Sequence, residues 1–93
     1  MKPISYERRK IQQVNPDAVL WDGFDEAIIG ITEDNRAVYD IYMMERIMWR
    51  DNKKHITFEE ASDWVHYNIL QAYVGDETPS HIWVLPPVEE EEE

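Results

Sequence analysis

An α+β fold follows from three features of the chain. Ala27–Ile31 and Arg36–Tyr39 are short apolar, β-branched runs separated by the turn-forming Glu33-Asp34-Asn35, which predicts a hairpin. Ile41, Met44, Ile47 and Met48 recur at helical spacing over Ile41–Asp51, and Phe58, Ala61, Val65, Ile69 and Ala72 do so over Phe58–Tyr73. His81–Leu85 then returns as a third short apolar run, and two strands alone make a marginal sheet, so it is expected to pair with the hairpin. The predicted architecture is a three-stranded antiparallel sheet with two helices on one face, in the order β-β-α-α-β. Ninety-three residues suffice for one domain, placed at residues 1–86.

Each element has a local cause. The spacing of Ile4, Ile11 and Val14 allows a short helix ahead of the hairpin. Asn15-Pro16-Asp17 is a turn signal, and Asp22-Gly23 breaks the apolar run Ala18–Trp21. Gly30, inside a strand, predicts a bulge or a close backbone approach. Asp40 suits the N-cap of the first long helix, whose last turns carry Arg50, Lys53 and Lys54 against the negative end of its dipole. Thr57-Phe58-Glu59-Glu60 spells a capping box, with Ile56 and Ala61 placed for a hydrophobic staple. Gly75 predicts a left-handed stop for that helix near Tyr73. Asn68 borders the core face, and a buried amide needs partners, so it is expected to tie the helix to loop or strand backbone. Tyr67, Leu70 and Val74 fall on the polar side of the same helix, where burial under the strand region is expected. Tyr42 and Trp49 share a flank of the first long helix, with Arg46 one turn from Tyr42 for a cation–π contact.

Charge is the most informative property. The formal net charge is −11. Residues 1–56 hold all nine basic residues and ten acids, whereas residues 57–93 hold ten acids and no Lys or Arg. Phosphates would repel such a surface, which argues against direct binding to nucleic acid. Pro86-Pro87 ends regular structure, and five consecutive glutamates bury nothing, so residues 87–93 are read as a disordered acidic tail. There is no apolar stretch near the ~18 residues of a membrane span. No secretory apolar region follows Met1–Lys10, and the chain contains no cysteine, so a cytoplasmic protein without disulfides is expected.

Catalytic patterns are weak. His55, His66 and His81 lack metal-ligand spacing, Ser5, Ser62 and Ser80 lack nucleophile-elbow glycines, and Gly23, Gly30 and Gly75 are too dispersed to cradle a phosphate. Asp22, Asp25 and Glu26 form the acidic cluster with most claim to a divalent metal, but their spacing departs from the EF-hand loop. No cofactor and no enzymatic activity are expected.

Two stretches carry a resemblance. Asn15–Gly30 (NPDAVLWDGFDEAIIG) and Ala72–Pro79 (AYVGDETP), with Thr57, Glu59, Glu60 and Ala61 between them, resemble small uncharacterised proteins of tailed bacteriophages. The resemblance covers about residues 14–85 and implies a phage origin and an infected bacterial cytoplasm, without implying a chemistry. The function expected is a small acidic interaction protein that binds and inhibits a host protein with a basic surface, of the anti-CRISPR, anti-restriction or polymerase-inhibitor type, with carboxylates standing in for phosphates. Glu59, Glu60, Asp63, Asp76 and Glu77 would supply the carboxylates, and Trp64 and Tyr67 the anchors. A second reading is a phage accessory or assembly protein acting as a homo-oligomer, with Arg46, Arg50, Lys53 and Lys54 of one copy meeting the acidic helix of another. A third is a small metal-dependent enzyme built on Asp22, Asp25 and Glu26.

Overall fold

Apolar spacing, caps and turns act together in the computed structural model, which describes residues 5–85. The element order is α1 (Tyr6–Val14), a 3₁₀ turn (Asp25–Ala27), β1 (Ile28–Ile31), β2 (Ala37–Asp40), α2 (Ile41–Asn52), α3 (Phe58–Val65), a π-helical turn (His66–Leu70) and β3 (Ser80–Ile82). The fold is α+β, as the sequence predicts. The Glu89–Glu93 tail lies outside the described residues.

Asp40 and Thr57 cap helices where the sequence predicts, and Ser5 adds a cap at α1. Ser5 Oγ accepts from the Arg8 N–H to start α1, and Asp40 accepts from the Met43 N–H to start α2. At α3 both halves of the capping box form: Thr57 Oγ1 accepts from the Glu60 N–H at 3.1 Å, and Glu60 Oε1 from the Thr57 N–H at 2.9 Å. In the β1–β2 loop the Arg36 N–H donates to Thr32 Oγ1, and Asn35 takes a left-handed φ of 66° that its short amide side chain tolerates. The register between β1 and β2 shifts between Ile28 and Gly30, which is the bulge expected at Gly30.

Four expectations need correction. The sheet is mixed: β1 and β2 are antiparallel, but β3 runs parallel to β2, pairing Val38 with Ser80, Tyr39 with His81 and Asp40 with Ile82. Parallel neighbours require a long crossover, and residues 41–79, with both long helices, provide one. The second correction is the end of α3, which converts to a π turn at His66 and stops at Leu70 rather than near Tyr73. Asn68, expected to bind loop or strand backbone, is exposed and donates instead to the Trp64 carbonyl at 3.0 Å. That carbonyl is the acceptor its own N–H would use in an α-helix, so the side chain competes with the backbone where the helix widens. Gly75 is left-handed, with φ 112°, but it shapes the following loop rather than the helix stop.

One core joins these pieces. Ile11, Phe24, Ala27, Ile28, Ala37, Tyr39, Met44, Ile47, Val65 and Ile69 are buried together, with Trp21, Met48 and Leu70 packed at its margin. Tyr39 is fully buried, and its hydroxyl accepts from the Trp21 N–H at 2.9 Å. Trp21 Nε1 in turn donates to His81 Nε2 at 2.9 Å, locking the loop before β1 onto β3. Burial pushes the His81 pKa down, as the accepting nitrogen requires. Among the described residues no helix is long and apolar enough to cross a membrane.

Candidate functional site

The outward face of α3 follows from its inward one. Ala61 and Val65 are fully buried and fix the inward side of α3, so residues on the opposite side face solvent. Glu59, Glu60 and Asp63 are exposed there, Trp64 retains 40% of its surface and Tyr67, in the π turn, 72%. Burial of Tyr67 under the strand region, expected from the sequence, does not occur, and Val74 is exposed as well. Leu70 alone of that trio is half-buried against the core. Among the described residues no Lys, Arg or His lies within ion-pair distance of Glu59, Glu60 or Asp63.

The seven residues singled out as partner-binding do not form one patch. Glu59, Glu60, Asp63, Trp64 and Tyr67 share α3 and its continuation. Asp76 and Glu77 lie in the loop beyond its far end; the ten residues from Glu60 to Leu70 alone span roughly 15 Å. Glu77 is tied inward, its Oε1 accepting from Asn15 Nδ2 at 2.6 Å, while Asn15 also donates to the Asn35 carbonyl. Asp76 is exposed, within 3.5 Å of the Tyr73 hydroxyl. Thr78 Oγ1 closes this loop by accepting from the Val74 N–H and donating to the Gly75 carbonyl.

The metal candidates are held by arginines. Arg8 makes a two-pronged contact to Asp25, from Nε at 3.0 Å and Nη2 at 2.9 Å, and reaches Asp22 at 3.5 Å; Ser5 Oγ adds a bond to Asp25 at 2.7 Å. Burial would raise the Asp25 pKa, but the Arg8 and Ser5 bonds outweigh it and hold the carboxyl below its ordinary value. Glu26 is paired with Arg50 at 2.9 Å, which lowers its pKa and raises that of Arg50. Among the described residues no group of three metal-ligating side chains converges.

A cluster that no sequence motif marks lies between α2 and α3. Glu45 is only 3% exposed, and its Oε2 accepts from Ser62 Oγ at 2.7 Å and faces His66 Nε2 at 3.1 Å. His66 also packs on Trp83, with ring centroids 5.9 Å apart. Serine, histidine and carboxylate meet here, but in the wrong order for nucleophilic catalysis. Ser62 donates to the carboxylate rather than to the imidazole, so the cluster lacks the serine–histidine contact of a nucleophilic triad. The cluster satisfies a buried charge and pins the two helices. Its signal was available: Ile41, Glu45 and Met48 share one stripe, which puts a carboxylate on the apolar side of α2.

Beside it, Tyr42, Trp49 and Phe58 make an aromatic seam. Phe58 lies 6.1 Å from both other rings, and Arg46 sits over Tyr42 at 5.7 Å, the cation–π contact expected from their spacing. Tyr42, Met43, Arg46, Ile47, Trp49 and Arg50 line an open groove of about 370 Å³ on α2. Of the four tryptophans, Trp21 is half-buried at the core margin, Trp49 is half-buried in the seam, and Trp64 and Trp83 are exposed.

An α+β scaffold with an acid-bearing helix is thus the class that fold and surface define. Comparison of the chain with protein-family models, curated proteins and solved structures gives no match.

Proposed function

We propose that the protein is a non-enzymatic interaction protein that binds a basic surface of a host protein and inhibits it, with the carboxylates of α3 standing in for phosphates. One observation carries the reading. Glu59 and Asp63 project from a capped helix, make no ion pair among the described residues, and flank two exposed aromatic rings, Trp64 and Tyr67. Unpaired carboxylates on a rigid helix attract cationic partners and steer their approach, and half-exposed aromatics are the side chains that anchor interfaces. Asp76 extends the same sign of charge beyond the end of α3. A partner in a bacterial cytoplasm is what the resemblance to tailed-phage proteins implies.

The test is capture from nuclease-treated bacterial lysate by the wild type and by the double variant Glu59→Lys, Asp63→Lys. The expected result is a basic, nucleic-acid-binding protein retained by the wild type alone and released by added DNA or RNA. Equal retention by both forms, or retention that nucleic acid does not compete, contradicts the proposal.

A further inference from the structure

The aromatic seam divides the helix pair into two sides of opposite charge. On α2 and the turn after it, Arg46, Lys53 and Lys54 are exposed and make no ion pair among the described residues. On α3, Glu59 and Asp63 are exposed and equally unpaired. Between them lie Tyr42, 49% exposed, and Phe58, 36%, with Trp49 half-buried beneath. Arg46 cannot reach across to α3 while it is stacked over the Tyr42 ring and donating to the Tyr42 hydroxyl at 3.3 Å.

We propose that a second copy of this chain docks on the seam about a two-fold axis, laying the α2 cations of each copy against the α3 carboxylates of the other around Tyr42, Trp49 and Phe58. A face with an apolar centre and rims of opposite sign is self-complementary under a two-fold rotation, because each contact from cation to carboxylate is made twice. The composition is that of an interface centre: aromatic rings and arginine in the middle, with a charged rim that fixes register. Arg50 adds little attraction, since Glu26 and Asp51 already hold it. The partner must bring carboxylates beside cations around an aromatic centre, and this chain carries that arrangement itself. The dimer covers Glu59 and Asp63 and so competes with capture of a basic partner.

The experiment is sedimentation equilibrium of the full chain and of two charge-reversed forms, Arg46→Glu with Lys53→Glu and Glu59→Lys with Asp63→Lys. All four positions are exposed, and circular dichroism checks each fold. Expected are a dimer for the wild type, association at least about tenfold weaker for each variant alone, and restored association when the two variants are mixed. Tyr42→Ala, which leaves every charge in place, is expected to weaken the dimer by a similar factor. A wild type that stays monomeric up to millimolar concentration overturns the proposal. So does a dimer that neither charge variant weakens, or a mixture that remains monomeric. The two readings fail separately: sedimentation reads the dimer, whereas retention of a basic partner by the Arg46→Glu, Lys53→Glu form, which keeps its α3 carboxylates, reads host capture.

Discussion

The N-terminal half and α3 treat their acids in opposite ways. Before residue 57, acid and base are close to balanced, and the fold joins them: Arg8 closes on Asp25, Arg50 on Glu26 and Asp51, and Arg36 on Asp34 while also donating to the Thr78 carbonyl and Ser80. From residue 57 onward there is no Lys or Arg, and in α3 Glu60 works inside its capping box while Glu59 meets the positive end of the helix dipole. The difference teaches that the total charge overstates what the surface offers. What counts is the subset of carboxylates that the scaffold leaves without a cation: among the described residues Glu7, Asp17 and Glu33 are scattered over three segments, whereas Glu59, Glu60 and Asp63 share one helix.

The contrast can be broken most strongly at Asp25. Asp25→Ala leaves the largely buried Arg8 guanidinium without its carboxylate and should lower the unfolding free energy by about 2–3 kcal/mol, read from urea denaturation. Acid titration probes the same region. Because the folded Asp25 pKa is depressed, its contribution is complete above the ordinary value of 3.8 and is lost as pH falls through the folded value. His81, also depressed, should already subtract stability as pH falls below 6.5, since its protonation removes the acceptor for Trp21. His81→Phe should flatten the upper part of that pH profile, and Asp25→Asn the lower part. Thr57→Ala, which removes the one cap on the acidic side, should cost about 1 kcal/mol in the same denaturation assay.

Local chemistry made most of the fold legible. Asp40 and the Thr57–Glu60 box mark helix starts because capping depends on residues adjacent in sequence, and Gly30 marks the bulge for the same reason. The direction of β3 was not legible: a three-residue strand has the same alternation whichever way it runs, and the crossover from Ile41 to Pro79 decides its sense. The π turn escaped because the competition between the Asn68 amide and its backbone leaves the apolar spacing unchanged. At the site, the exposure of Glu59, Glu60, Asp63 and Trp64 could be read from Ala61 and Val65. Glu77 could not, because its partner Asn15 is 62 positions away. Glu45 could have been found, since it breaks an apolar stripe.

The claim beneath the proposed function is that, among the described residues, the fold pairs Glu59, Asp63 and Asp76 with no cation and depends little on them. The most direct measurement is urea unfolding of the variant Glu59→Gln, Asp63→Asn, Asp76→Asn beside the wild type in low salt. The account predicts a free energy within about 0.5 kcal/mol of wild type, on the higher side as like-charge repulsion is relieved. A loss of more than about 1 kcal/mol would mean that those side chains hold the fold together, and would contradict their assignment to a partner.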